Sequence, residues 1–132
     1  MVLVDTSVWI RMLIGREPYR AGLIRLLRRN EAVGHELVYG ELLIGDRGGR
    51  LQLLKQYEHI QQSVRIPHRE VVEFVRLRGL HGRGAGWIDV HLLASVLAQH
   101  MQLWTADERV ARLATELGIA YCPPEENPRN RC

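Results

Sequence analysis

A chain of 132 residues, 46% apolar and 25% charged, is long enough to bury one core without staples and lacks the charge-rich, apolar-poor balance of a disordered protein, so a single globular domain is expected. No apolar run approaches the roughly 20 residues that cross a bilayer, and the chain opens on Met1-Val2-Leu3-Val4-Asp5 with neither a basic region nor a cleavage site, so we expect a cytoplasmic protein without a membrane partner. The net charge of +3 and pI near 9.2 come from 18 Lys and Arg, of which Lys55 is the only lysine; arginine suits phosphate through its planar fork of donors, although the bias equally fits the coding composition of a genome.

In chain order, Val2-Leu3-Val4 reads as a strand buried on both faces of a parallel sheet, ended by Asp5. A helix follows from Thr6 with Val8, Trp9, Met12 and Leu13 in its repeat, until Gly15 stops it. Pro18 opens a second helix running to about Arg29, with Leu23, Leu26 and Leu27 inward and Arg20, Arg25 and Arg28 outward. Residues 32–36 read as a short connection to a helix carrying Leu37, Val38, Glu41 and Leu42 and ending near Gly45. Residues 45–49 form a loop by their turn residues, 50–59 a helix, 64–66 a brief strand before Pro67, and 68–78 another helix.

Four glycines between positions 79 and 86 make a loop. Residues 87–100 then form a helix with Leu92, Leu93, Val96 and Leu97 on one face, 101–104 a strand, 106–117 a helix stopped by Gly118, and 119–121 a last strand. Strands separated by helices imply an α/β fold, a three-layer sandwich with a central, mainly parallel sheet flanked by helices. The domain spans residues 1–122, with 123–132 a flexible tail. Cys122 and Cys132 have no metal-type spacing.

Ligands of an open parallel sheet bind beyond the carboxyl ends of its strands. Asp5 stands there after the first strand, and Asp107 just after Leu103-Trp104-Thr105. Asp89 precedes Leu92, Leu93 and Val96 by three, four and seven residues, and Glu41 follows Val38 and Leu37 by three and four, so both acids lie on faces that meet the core. Acids so placed repel one another and resist desolvation unless a cation neutralises them. Oxygen donors without cysteine or paired histidine select a hard ion, magnesium or manganese, and such an ion suits phosphodiester chemistry. Each acid also has a plainer reading: Asp5 or Asp107 as a helix cap, Asp89 as a partner of its helix dipole, Glu41 as a solvated helix residue. For Asp107 the Thr105-Ala106-Asp107-Glu108 run offers a capping box that does not need it.

Val4-Asp5-Thr6-Ser7-Val8-Trp9-Ile10 resembles the opening motif of the PIN-domain family, particularly its VapC toxins. The segments 38–45 around Glu41, 87–94 around Asp89 and 103–107 ending in Asp107 resemble the later acidic motifs in order, so the likeness spans nearly the whole chain. The resemblance implies an endoribonuclease using one or two magnesium ions, with manganese as a substitute. It further implies a structured transfer or ribosomal RNA as substrate, a homodimer, and a small VapB-like antitoxin as partner. It implies that Asp5 and Asp89 hold the metal directly, that Glu41 and Asp107 complete the catalytic site, and that Thr6, Ser7 and Thr105 are supporting hydroxyls. Local capping remains an equal reading of those hydroxyls. Arg109 and Arg112 occupy the stretch where many relatives carry a further acid, which bears on the second ion.

Arg11, Arg16, Arg47, His81 and Arg83 are candidates for RNA contact, with plain solvated surface as the default. Histidine is given no catalytic role, and Trp9, Trp87 and Trp104 read as core or interface aromatics. Leu26, Leu43, Ile44 and Leu53 are candidates for a dimer or antitoxin face. The competing functions are a catalytically inactive PIN-like binding module, or a magnesium-dependent phosphatase or phosphotransfer domain. The latter fits poorly: Ser7 stands where a dehalogenase-like site needs a second Asp, and Lys55 lies too early for a receiver.

Overall fold

The computed structural model describes residues 1–124; the expected tail from residue 123 falls mostly outside the described residues. Strand β1 (Val2–Val4) buries all three of its side chains, which point alternately to the two faces of the sheet, so helices must cover both faces. It pairs in parallel with β2 (Ala32–Gly34) on one side and β4 (Gln102–Trp104) on the other, and β3 (Gln61–Gln62) extends the sheet beyond β2, giving the order β3-β2-β1-β4. Every pairing is parallel. Around the sheet run α1 (Thr6–Leu13), α2 (Tyr19–Arg28), α3 (Glu36–Ile44), α4 (Leu51–Tyr57), α5 (His68–Arg78), α6 (Trp87–Ala98) and α7 (Glu108–Glu116). This is the three-layer α/β sandwich that the strand–helix alternation implies.

Three local readings change. Residues 32–34 are a strand, not a connection. Gly34 is buried there so tightly that a Cβ would meet Gln62 Nε2 at 2.6 Å, and the close approach leaves room only for hydrogen. The third strand is the exposed pair Gln61–Gln62 rather than 64–66. Val64 is instead stapled to α6 by side chains: its N–H donates to Gln99 Oε1 at 3.2 Å, and its carbonyl accepts from Ser95 Oγ at 3.1 Å and Gln99 Nε2 at 3.2 Å. The expected strand at 119–121 is one parallel bridge, with Leu103 N–H donating to Ile119 O at 2.7 Å and Tyr121 N–H to Leu103 O at 2.9 Å.

The core joins Leu3 and Val4 to Val8, Trp9, Leu23, Leu92, Leu93 and Val96. Leu26 belongs to it as well, contrary to its place in a candidate dimer face, whereas Leu43 and Ile44 are exposed. Buried Gly22 lets α2 settle on the Trp104 ring: a Cβ there would lie 2.7 Å from Trp104 Cη2.

His35 sets the start of α3. Its Nδ1 accepts the Leu37 N–H at 3.0 Å, which fixes the proton on Nε2, and Nε2 faces Ser95 Oγ at 3.4 Å. The Ser95 hydroxyl passes its own proton toward Val64 O. Burial, with smaller contributions from His91 and Arg65 against an opposing one from Glu36, lowers the His35 pKa to about 4. The Tyr57 hydroxyl closes the same knot, accepting the His35 N–H at 2.8 Å. The neutral imidazole therefore pins α3 to α6, the helices that carry Glu41 and Asp89.

Candidate functional site

The β1–β4 ladder continues one residue past the strands, with Asp5 N–H donating to Trp104 O at 2.9 Å. That bond sets Asp5 beside Thr105 at the carboxyl end of the sheet. Asp5 is buried and is the N-cap of α1, yet its side chain makes no capping bond, so capping does not explain it. Its Oδ2 instead accepts two hydroxyls, Ser7 Oγ at 2.7 Å and Thr105 Oγ1 at 2.8 Å. Each hydroxyl in turn accepts a backbone N–H from the segment after β4: Ala106 N–H reaches Ser7 Oγ at 2.9 Å and Asp107 N–H reaches Thr105 Oγ1 at 3.1 Å. The carboxylate is thus oriented by donors whose own rotors are fixed.

Glu41 projects from α3 and accepts the Thr6 hydroxyl on Oε1 at 2.7 Å, a bond that ties α3 to the first turn of α1. Asp89 is the third residue of α6 and reaches back to Gly86 N–H through Oδ2 at 2.8 Å. This is half of a capping box; the sequence signal was the Gly-x-x-Asp spacing at the end of the glycine-rich loop. Asp107 caps α7, with Oδ1 accepting Arg109 N–H at 2.9 Å and Val110 N–H at 3.2 Å. The Thr105–Glu108 capping box is therefore not formed. The Thr105 hydroxyl is turned to Asp5, and the cap falls to Asp107.

Among the described residues the hydrogen bonds to these four acids all fall on one oxygen of each: Asp5 Oδ2, Glu41 Oε1, Asp89 Oδ2 and Asp107 Oδ1. Among the described residues no arginine, lysine or histidine forms an ion pair with any of them; the ion pairs there join Arg65 to Glu36 and Arg83 to Glu116. Half-buried Asp89 has its pKa raised, first by desolvation and then by the charges of Asp5, Asp107 and Glu41, with the Gly86 N–H opposing. All three other acids thus act on Asp89, which puts the four in one electrostatic neighbourhood. Among the described residues no three of these or other acid, histidine or cysteine side chains stand close enough together to hold a metal ion without rearrangement.

The basic candidates divide. The Arg11 guanidinium donates to Ser7 O at 3.0 Å and lies 5.5 Å from the centre of the Tyr19 ring, so it is held beside the site. Arg83 is committed to Glu116 at 2.7 Å, a contact that raises the arginine pKa and lowers that of the glutamate. Arg16, Arg47 and His81 are exposed. Trp9 and Trp104 are buried, whereas Trp87 is 45% exposed, flanked by His68 and His91 with ring centres 5.2 and 5.1 Å away. No helix among the described residues is long and apolar enough to cross a membrane.

A family model described as "PIN domain" matches residues 2–116. Two relatives named Ribonuclease VapC32, from Mycobacterium tuberculosis strains CDC 1551 / Oshkosh and ATCC 25618 / H37Rv, are each 40% identical over 121 residues, which is 91% of this chain and 95% of the relative.

Proposed function

The chain belongs to the PIN-domain family, and from that premise we propose that it is a divalent-metal-dependent endoribonuclease, the toxin of a toxin–antitoxin pair. One observation carries the reading: four carboxylates from four parts of the chain share one neighbourhood, each with a single oxygen committed to protein donors and, among the described residues, none paired with a basic side chain. Such a donor set fits a hard divalent ion, magnesium with manganese as a substitute. Asp5 and Asp89 would be its direct ligands, with Glu41 and Asp107 completing the site, and one or two ions are compatible with these oxygens.

When bound by Asp5 and Asp89, with Glu41 and Asp107 beside them, such an ion would supply charge neutralisation and an activated water for phosphodiester hydrolysis. The chain's own groups do the positioning. Ser7 and Thr105 hold Asp5 in one rotamer, and Thr6 holds Glu41 against α1. The same bonds engage one oxygen of each carboxylate and leave the other to face a cation. Arg11, fixed by Ser7 O and Tyr19, places a positive charge where an RNA phosphate would enter.

The substrate we propose is a structured cellular RNA of the transfer or ribosomal class. A VapB-like antitoxin holds the toxin silent, the protein acts as a homodimer in the cytoplasm, and the relatives named Ribonuclease VapC32 support this reading. The test is cleavage of purified transfer RNA and ribosomal RNA with magnesium, with EDTA, and with manganese added back. Cleavage that needs the metal and disappears in Asp5→Asn is expected. Cleavage indifferent to EDTA would overturn the mechanism, and RNA left intact under every condition would leave an inactive PIN-like module.

A further inference from the structure

Outside the carboxylate site, a cluster of arginines lies on α2. Arg20, Arg25, Arg28 and Arg29 surround a shallow concavity of about 500 Å³ floored by Ala21 and Ile24. None of these arginines forms an ion pair among the described residues. On the N-terminal side, Glu17 accepts the Ala21 N–H at 3.0 Å, and neither it nor Glu31, two residues after Arg29, forms an ion pair with the cluster among the described residues.

Helix stability does not account for the cluster. Arg25 and Arg28 sit in the last turn, where positive charge suits the helix dipole, but Arg20 is the second residue of α2, where it opposes that dipole. Arg25 also stands three and four residues from Arg28 and Arg29, spacings at which like charges destabilise a helix. The arrangement costs stability in the free chain and regains it when a polyanion lies along the helix.

Its position says which polyanion. The N-terminal end of α2 adjoins the carboxylate site: the Tyr19 ring stacks on Trp104 with centres 5.9 Å apart, Arg11 lies over Tyr19, and Trp104 precedes Thr105. The basic face starts at this rim and runs roughly 13 Å along the helix to Arg29, long enough to meet successive phosphates of one strand.

We propose that this α2 face is an RNA-backbone track, on which Arg20, Arg25, Arg28 and Arg29 bind phosphates flanking the scissile one. The track rests on the ribonuclease reading, since it gives that enzyme's RNA a path away from the cut. Phosphate contacts of this kind set register and affinity without reading sequence.

Binding can be measured apart from cleavage by placing Asp5→Asn in every protein tested and titrating a fluorescein-labelled 30-nucleotide stem-loop RNA over a salt series. Replacing Arg20, Arg25, Arg28 and Arg29 by Gln is expected to weaken binding at least tenfold and to reduce the slope of log K against log salt by about 2 to 3. Circular dichroism of this variant should be native, because it removes only exposed or half-exposed like charges. The control replaces Lys55, Arg69, Arg76 and Arg78, all exposed, by Gln, which changes the net charge equally. It should change affinity less than threefold. Equal loss in both variants would reduce the effect to net charge and overturn the track. Unchanged RNA affinity in the α2 variant, with or without lost binding of a poly-glutamate peptide, would overturn it too. Failure of the ribonuclease reading shows separately, as absence of cleavage by the parent chain with RNA binding intact.

Discussion

Thr105 Oγ1 donates to Asp5 Oδ2 at 2.8 Å across a sequence separation of 100 residues. The bond joins the ends of β4 and β1, so the sheet register itself brings the acid and the hydroxyl together. Thr105→Val keeps the shape and removes the donor. The expected result is a 10- to 100-fold loss of manganese affinity and of RNA cleavage, with only about 1 kcal/mol of stability lost. Calorimetric titration and thermal melting on the same sample separate the two, and a variant with parental metal affinity would show that the hydroxyl serves the backbone alone.

Asp89 is held charged beside three other acids at the expense of folding. Asp89→Asn removes that repulsion while its amide oxygen can still accept the Gly86 N–H, so the metal-free chain should gain about 2 to 4 °C in Tm. RNA cleavage should be lost. A melt in EDTA that shows the variant less stable than the parent would mean that the carboxylates do not burden one another.

The His35 imidazole gives a pH signature separate from the acids. Its pKa is about 4 in the folded chain, below the ordinary 6.5, so the unfolded chain binds the extra proton first. Stability from this group is full above pH 6.5 and is lost as the pH falls toward about 4, on the order of 3 kcal/mol across that window. His35→Asn retains an acceptor for Leu37 N–H and has nothing to titrate there. Urea unfolding from pH 7 to pH 4.5 should therefore fall more steeply in the parent; parallel curves would remove His35 from the account.

Gly22 offers a contest of two effects. Alanine in the middle of α2 gains about 1 kcal/mol of helix propensity. The added methyl would lie 2.7 Å from a Trp104 ring that is itself hemmed by Tyr19 and Tyr121, and overpacking of this kind costs about 1 to 3 kcal/mol. Because the ring has little room to retreat, Gly22→Ala is expected to lower stability by about 1 kcal/mol and to reduce cleavage through displacement of Thr105. A raised Tm would show that propensity wins.

Much of this was legible in the sequence because burial and periodicity coincide. Val2-Leu3-Val4 announces a doubly covered strand, and the helices after residues 5, 86 and 107 follow from apolar spacing and their preceding turn residues. What escaped was structure held by pairing without apolar pattern. The strand Ala32–Gly34 owes its place to its neighbours rather than to its side chains, and Gln61–Gln62 pairs at an exposed edge with no apolar signal. Val64 misleads because this β-branched residue is fixed by Ser95 of α6 and by Gln99 at that helix's C-cap instead of by a ladder. For the Thr105 hydroxyl the sequence leaves site support and helix capping as equal readings, because local spacing cannot show a partner as distant in sequence as Asp5. The α2 arginines were visible as outward-facing positions, but their shared concavity beside Trp104 needs the fold.

The central claim is that four acids from separate elements act as one cation site. Manganese titration by calorimetry on the parent and on Asp5→Asn, Glu41→Gln, Asp89→Asn and Asp107→Asn tests it most directly, with the exposed Glu73→Gln as a control. We expect saturable binding by the parent and by Glu73→Gln, abolished or weakened at least tenfold by each of the other four. Equal manganese affinity in all six proteins, or none in the parent, would contradict the claim.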